Sequence, residues 1–157
     1  HKEAAMRLQK LLVLLKKENL GRKVLIWDAT RDESVQLNLW KYAQKHGLKG
    51  YVSNPQRKSM HQYGMALDLT ITDSTGIQLD MGTDFDHFGP RASARNQDKL
   101  KAQGLLTEIQ WKNRVYFSKL VRAAGYIQLP SEWWHIHALP SKFVRQNYQP
   151  FSKKLLK

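Results

Sequence analysis

The chain has 157 residues, 41% of them hydrophobic, which predicts one domain with one packed core and excludes wholesale disorder. Lys and Arg total 26 against 13 Asp and Glu, and the resulting charge of +13 points to a polyanionic neighbour such as nucleic acid, an anionic membrane face or an acidic surface polymer. There is no cysteine, so disulfide scaffolds, thiolate metal centres and cysteine nucleophiles are excluded, and chemistry falls to six His, the carboxylates and the hydroxyls.

In chain order, residues 3–19 have helical periodicity, with Leu8, Leu11, Leu12 and Leu15 on one face and Gly21 as a stop. Lys23–Asp28 is short, apolar and β-rich, and is predicted as a buried strand. A second helix is expected over 32–46, with Leu37, Trp40 and Ala43 inward. Met65–Thr72 predicts a core strand. Asp73–Gly76 predicts a turn, and Ile77–Met81 a hairpin partner. Residues 82–107 read as loop with one helical turn near 96–103. Thr107 is a good N-cap for a helix whose stripe is Phe117, Leu120, Val121 and Ala124, ended by Gly125. Two last strands, 126–128 and 133–139, flank a turn at Leu129-Pro130, and the basic tail from Pro140 to Lys157 is expected on the surface. The pattern predicts an α+β fold: a small, mostly antiparallel sheet with helices packed on one side. No apolar run approaches the roughly 20 residues that cross a bilayer, and no leader peptide is visible.

Three segments place polar groups inside apolar surroundings. In Ser59–Asp68, Asp68 lies within a core strand, where a lone carboxylate needs a partner or a metal. His61 lies an odd number of residues away, and Gly64 between them can supply the bulge or turn that brings both to one point. In Glu132–His137, a Glu and two His flank two tryptophans, an aromatic wall that raises carboxylate proton affinity. His135 and His137 share a strand face, so spacing alone admits either as a ligand. Asp28–Arg31 ends the first strand, where a charged residue can reach into a site. No phosphate-binding glycine loop or nucleophile elbow is present, and the basic residues are scattered, so no nucleic-acid partner is expected.

Together, Ser-x-His-x-x-Gly-x-Ala-x-Asp at 59–68 and Glu-Trp-Trp-His at 132–135 closely resemble the zinc D-alanyl-D-alanine dipeptidases of peptidase family M15. These belong with the D,D-carboxypeptidases and dipeptidases of peptidoglycan metabolism. Asp28-Ala-Thr-Arg31 with Val35-Gln36, Asp80–Phe88, and Asn113-Arg114 before Gly125-Tyr126 extend the likeness over nearly all of 1–140. The resemblance implies one zinc ion in a central cleft, held by His61, Asp68 and His135, with His137 outside the set. It implies Glu132 as general base and acid, Arg31 as oxyanion stabiliser, and Ser59 and Asp86 as pocket residues, Asp86 meeting the substrate's amino group. Two neutral imidazoles and one carboxylate leave zinc a net positive charge with which to activate water.

The activity implied is hydrolysis of D-Ala-D-Ala. The alternatives are a zinc D,D- or L,D-carboxypeptidase or endopeptidase on peptidoglycan peptides, and a non-catalytic basic binding module. The expected partner is a small peptide, and the expected compartment the periplasm or cell envelope, with the cytoplasm as alternative. Asp32 stands where the family has Pro, and Ala94 follows Ser93 where many members have His. His1 matches a point inside the usual domain, so a front segment is expected to be missing and the pocket to be open.

Overall fold

The computed structural model describes residues 1–151. Among these residues five α-helices and four strands run in the order α1 (Lys2–Glu18), β1 (Lys23–Asp28), α2 (Glu33–Lys45), β2 (Ala66–Thr72), α3 (Gln97–Ala102), α4 (Glu108–Ala123), β3 (Ile127–Gln128), β4 (His135–His137) and α5 (Ser141–Asn147). The strands form one open antiparallel sheet in the order β1-β2-β4-β3, and the fold is α+β. No helix among the described residues is long and apolar enough to cross a membrane.

Every residue of β2 is buried, because β2 lies inside the sheet with both faces covered. Its odd-numbered residues Leu67, Leu69 and Ile71 join Leu11 and Leu15 of α1, Phe117, Leu120 and Val121 of α4 and Ile136 of β4 in the core. The alternate face carries Ala66, Asp68, Thr70 and Thr72, which is the period-two consequence of a pleated strand. Thr107 and Gln110 form a reciprocal capping box at the start of α4, each side chain accepting from the other's backbone N–H.

Four sequence expectations are corrected. β1 is an edge strand rather than a buried one: among the described residues it pairs with β2 alone, and Leu25 and Ile26 are exposed. In α2 the inward residues are Gln36 and Ala43, while Leu37 is exposed and Trp40 half-buried, because the helix turns Gln36 toward the end of β1 to meet Arg31. The hairpin arm after Gly76 shrinks to one bridge, Thr72 to Gln78, with Leu79 N–H donating to Ile71 O. The stretch from 140 is not simply surface tail. Ser141–Asn147 is helical and buries Val144, and Phe151 N–H donates to Gln62 O at 2.7 Å. The rest of the expected tail, 152–157, lies outside the described residues.

Candidate metal centre

Register builds the first wall of the site. Asp68 on β2 is directly paired with His135 on β4 and, across a bulge that leaves Trp27 over, with Asp28 on β1. Paired residues on neighbouring strands share a face, so the three polar side chains stand in a row. The extra residue is used. Trp27 stacks on Phe85 with ring centroids 4.8 Å apart and meets Trp133 edge-on at 5.9 Å.

His61 arrives from outside the sheet, on the short 3-10 turn Met60–Tyr63 closed by Gly64. Gly64 has φ +62, and a Cβ there would lie 2.6 Å from a Phe151 ring carbon, so only glycine fits. The turn that the spacing of His61 and Asp68 required is therefore present, and the two side chains meet.

The donor geometry fits a metal ion. His61 Nδ1 lies 2.7 Å from Ala29 O, and since a carbonyl only accepts, Nδ1 carries the proton and Nε2 keeps a free lone pair. That Nε2 is 3.3 Å from Asp68 Oδ2 and 3.2 Å from His135 Nδ1. His135 Nδ1 is 2.9 Å from Asp68 Oδ1, and one ligand atom from each residue falls within 4.8 Å of the others. Lone pairs converge here with too few protons between them, and a cation resolves that conflict.

Glu132 lies not on the last strand but in the turn before β4, with Oε2 3.9 Å from His135 Nδ1. The next two residues, Trp133 and Trp134, are buried. Burial pushes Glu132 up to about 7; the attraction of His135 opposes this, and repulsion from Asp68 and Asp86 reinforces it.

Arg31 is held in place by two residues. Its Nε and Nη2 donate to Asp28 Oδ2, Nη1 donates to Gln36 Oε1 at 2.9 Å, and Nη2 stands 3.9 Å from Asp68 Oδ2. Gln36 is wholly buried and anchors its own amide on Ser53 O at 2.8 Å. Asp32, in the position of the family's proline, caps α2 by accepting from Ser34 N–H.

Ser59 is buried at the start of the His61 turn, and its Oγ has no hydrogen-bond partner among the described residues. Asp86 sits at the mouth in the left-handed region, φ 57. Loss of solvent and the charges of Asp68 and Asp28 raise it, against the pull of Arg31. The loop carrying it is clamped by α4: buried Arg114 donates from Nε to Met81 O at 2.6 Å and from Nη1 to Ser93 O at 3.5 Å, and Asn113 donates to Asp80 O. All seven residues singled out from the sequence line one cavity of about 410 Å³.

That cavity also draws in Arg145 and Tyr51, which the sequence did not single out, and His137, which spacing admitted as a ligand and the resemblance set aside. Behind its wall, Gln36 and Asp28 hold Arg31 without having been assigned that work. The available signals were Asp28 in the polar segment that ends the first strand and a Gln on a helix face shared with Ala43, seven residues on.

The family profile described as D-ala-D-ala dipeptidase, peptidase M15, matches residues 1–154. The chain belongs to this family. A D-alanyl-D-alanine dipeptidase of Escherichia coli K12 is 30% identical over 135 residues, covering 86% of this chain and 64% of the relative. A D-alanyl-D-alanine dipeptidase of Synechocystis sp. is 25% identical, covering 72% of this chain and 58% of the relative. The chain thus spans less than two thirds of the length of each of these M15 relatives.

Proposed function

We propose that this chain carries a zinc peptidase centre that hydrolyses D-Ala-D-Ala to two molecules of D-alanine. The observation that carries the reading is the position of Glu132, 3.9 Å from one member of a His/Asp/His trio whose lone pairs converge. His61 through Nε2, Asp68 and His135 through Nδ1 would hold the ion. Zinc bound there would supply Lewis-acid polarisation of the peptide carbonyl and a more acidic water. Glu132 takes the proton from the attacking water and returns it to the departing amine; a carboxylate whose proton affinity is raised toward neutrality suits both halves of that task.

Arg31 spends three of its five N–H donors on Asp28 and Gln36, which leaves one on each terminal nitrogen for the carbonyl oxygen as it gains charge. Asp86 at the mouth suits the substrate's ammonium group, and the unpartnered Ser59 hydroxyl is available to its backbone.

A second reading has its own support. The same cavity is also lined by Leu39, Tyr42, Leu48, Tyr51 and Phe88, an apolar and aromatic surface that suits a longer peptidoglycan peptide and hence carboxypeptidase or endopeptidase action. Incubation with D-Ala-D-Ala is expected to release D-alanine, and a chelator to stop it until zinc is restored at one ion per chain. Release only from a cell-wall pentapeptide or from sacculi moves the assignment to the second reading. Chelator-insensitive release, or none from any of these, overturns both.

A further inference from the structure

Two guanidinium groups line the cavity, Arg31 and Arg145, and their surroundings differ. Arg31 is neutralised by Asp28 and braced by Gln36. Arg145, on α5, is held by backbone carbonyls: Nε donates to Arg57 O at 2.9 Å and Nη2 to Lys58 O at 3.3 Å. Among the described residues it has no carboxylate partner. The neighbouring ammonium of Lys58 is paired with Glu33, so that acid is already engaged. Two carbonyls orient a guanidinium but do not neutralise it, and three of its five N–H donors remain. Its position is fixed from beneath, since Val144 beside it is wholly buried.

The same cavity wall carries His137, on the face of β4 shared with His135, with ring centroids 6.0 Å apart. Its Nδ1 is buried without a hydrogen-bond partner among the described residues, as is Ser59 Oγ. Asp86 and Arg145 thus give the one cavity an acidic and a basic side chain.

We propose that Arg145 is the carboxylate-recognition residue of this cavity, its three remaining N–H donors taking a carboxylate of the peptide substrate. The assignment rests on the hydrolase reading of the same site and deepens it: Asp86 reads an ammonium, and Arg145 an acid. That acid is either the peptide's C-terminal carboxylate or an acidic side chain next to the D-Ala pair.

Calorimetric binding to the zinc-loaded Glu132→Gln protein tests this without turnover. The probes are D-Ala-D-Ala, its C-terminal amide, and two longer D-Ala-D-Ala amides that differ only in a D-Glu or D-Gln preceding the pair. With Arg145 present, the acid form of one pair is expected to bind about 10- to 100-fold tighter than its neutral counterpart, the range for a charge-assisted pair. Arg145→Gln is expected to erase that preference, and Arg145→Lys to restore part of it, with zinc content and thermal midpoint unchanged. Loss confined to the dipeptide and its amide identifies the C-terminal carboxylate, and loss confined to the D-Glu/D-Gln pair identifies the side chain. An acid preference that survives Arg145→Gln in both pairs, or equal weakening of acid and neutral probes, overturns the proposal. Hydrolysis by the parent protein is scored separately, so binding through Arg145 without cleavage would refute the hydrolase reading and leave this one standing.

Discussion

The two walls of the cavity are built by different means. Asp28, Asp68 and His135 stand side by side because three adjacent strands are in register, and behind them Leu67, Leu69 and Ile136 are packed into the core. Ser59, Asp86 and Arg145 come from a 3-10 turn, a loop and a seven-residue helix. Metal ligation tolerates errors of only a few tenths of an ångström, which a hydrogen-bonded ladder supplies. Reading a ligand's ends tolerates more, and loops can be retuned without disturbing the ladder. Two of the three residues proposed as ligands, Asp68 and His135, are therefore set by the sheet, while His61, Glu132, Arg31 and the residues proposed for selectivity come from turns, loops and a helix attached to it.

Substitutions can break that division. On the sheet wall, His135→Ala is expected to abolish both metal binding and turnover, measured as zinc per chain and D-alanine released; full zinc retention would remove His135 from the ligand set. Glu132→Gln is expected to cut kcat by about 10²- to 10⁴-fold while zinc stays bound, the usual worth of a positioned acid–base group. If most of the activity survived, the proton route given above would be wrong. Arg31→Ala is expected to cost about 10²- to 10³-fold in kcat. Gln36→Leu, which removes only its brace, should cost about tenfold or less by the same argument; equal losses would mean Gln36 acts other than through Arg31. On the loop wall, Arg114→Met should raise KM several-fold with kcat and zinc content little changed, because it loosens the clamp on the Asp86 loop. A change in kcat alone would show that this wall also takes part in the chemistry.

Much of the sheet wall was legible in the sequence. A carboxylate in the core strand Met65–Thr72 is costly unless satisfied, Gly64 allows the reversal that brings His61 to it, and two tryptophans beside Glu132 announce a dry site. The supports were not legible. His61 is oriented by Ala29 O, and Arg145 by the carbonyls of residues 57 and 58, and a backbone carbonyl leaves no mark in residue type. Lys23–Asp28 looks apolar enough for a central strand, but edge or centre is decided by which strands pair, and among the described residues only β2 does so. The segment after Pro140 looks like tail because its basic residues hide a single buried anchor, Val144.

The register that aligns the ligands also decides when they can exist as a set. His61 and Asp68 are near neighbours in sequence, but His135 is 67 and 74 residues away from them, so no short peptide cut from this chain contains the trio. Closing a loop of that length comes late relative to local helix formation, so a metal held by all three would be captured only once β4 zips onto β2. Zinc would then act as a latch on the last strand added, binding the native ladder and not the open chain. Loss of the ion on unfolding would time the opening of one three-residue pairing, Ala66–Asp68 against His135–His137.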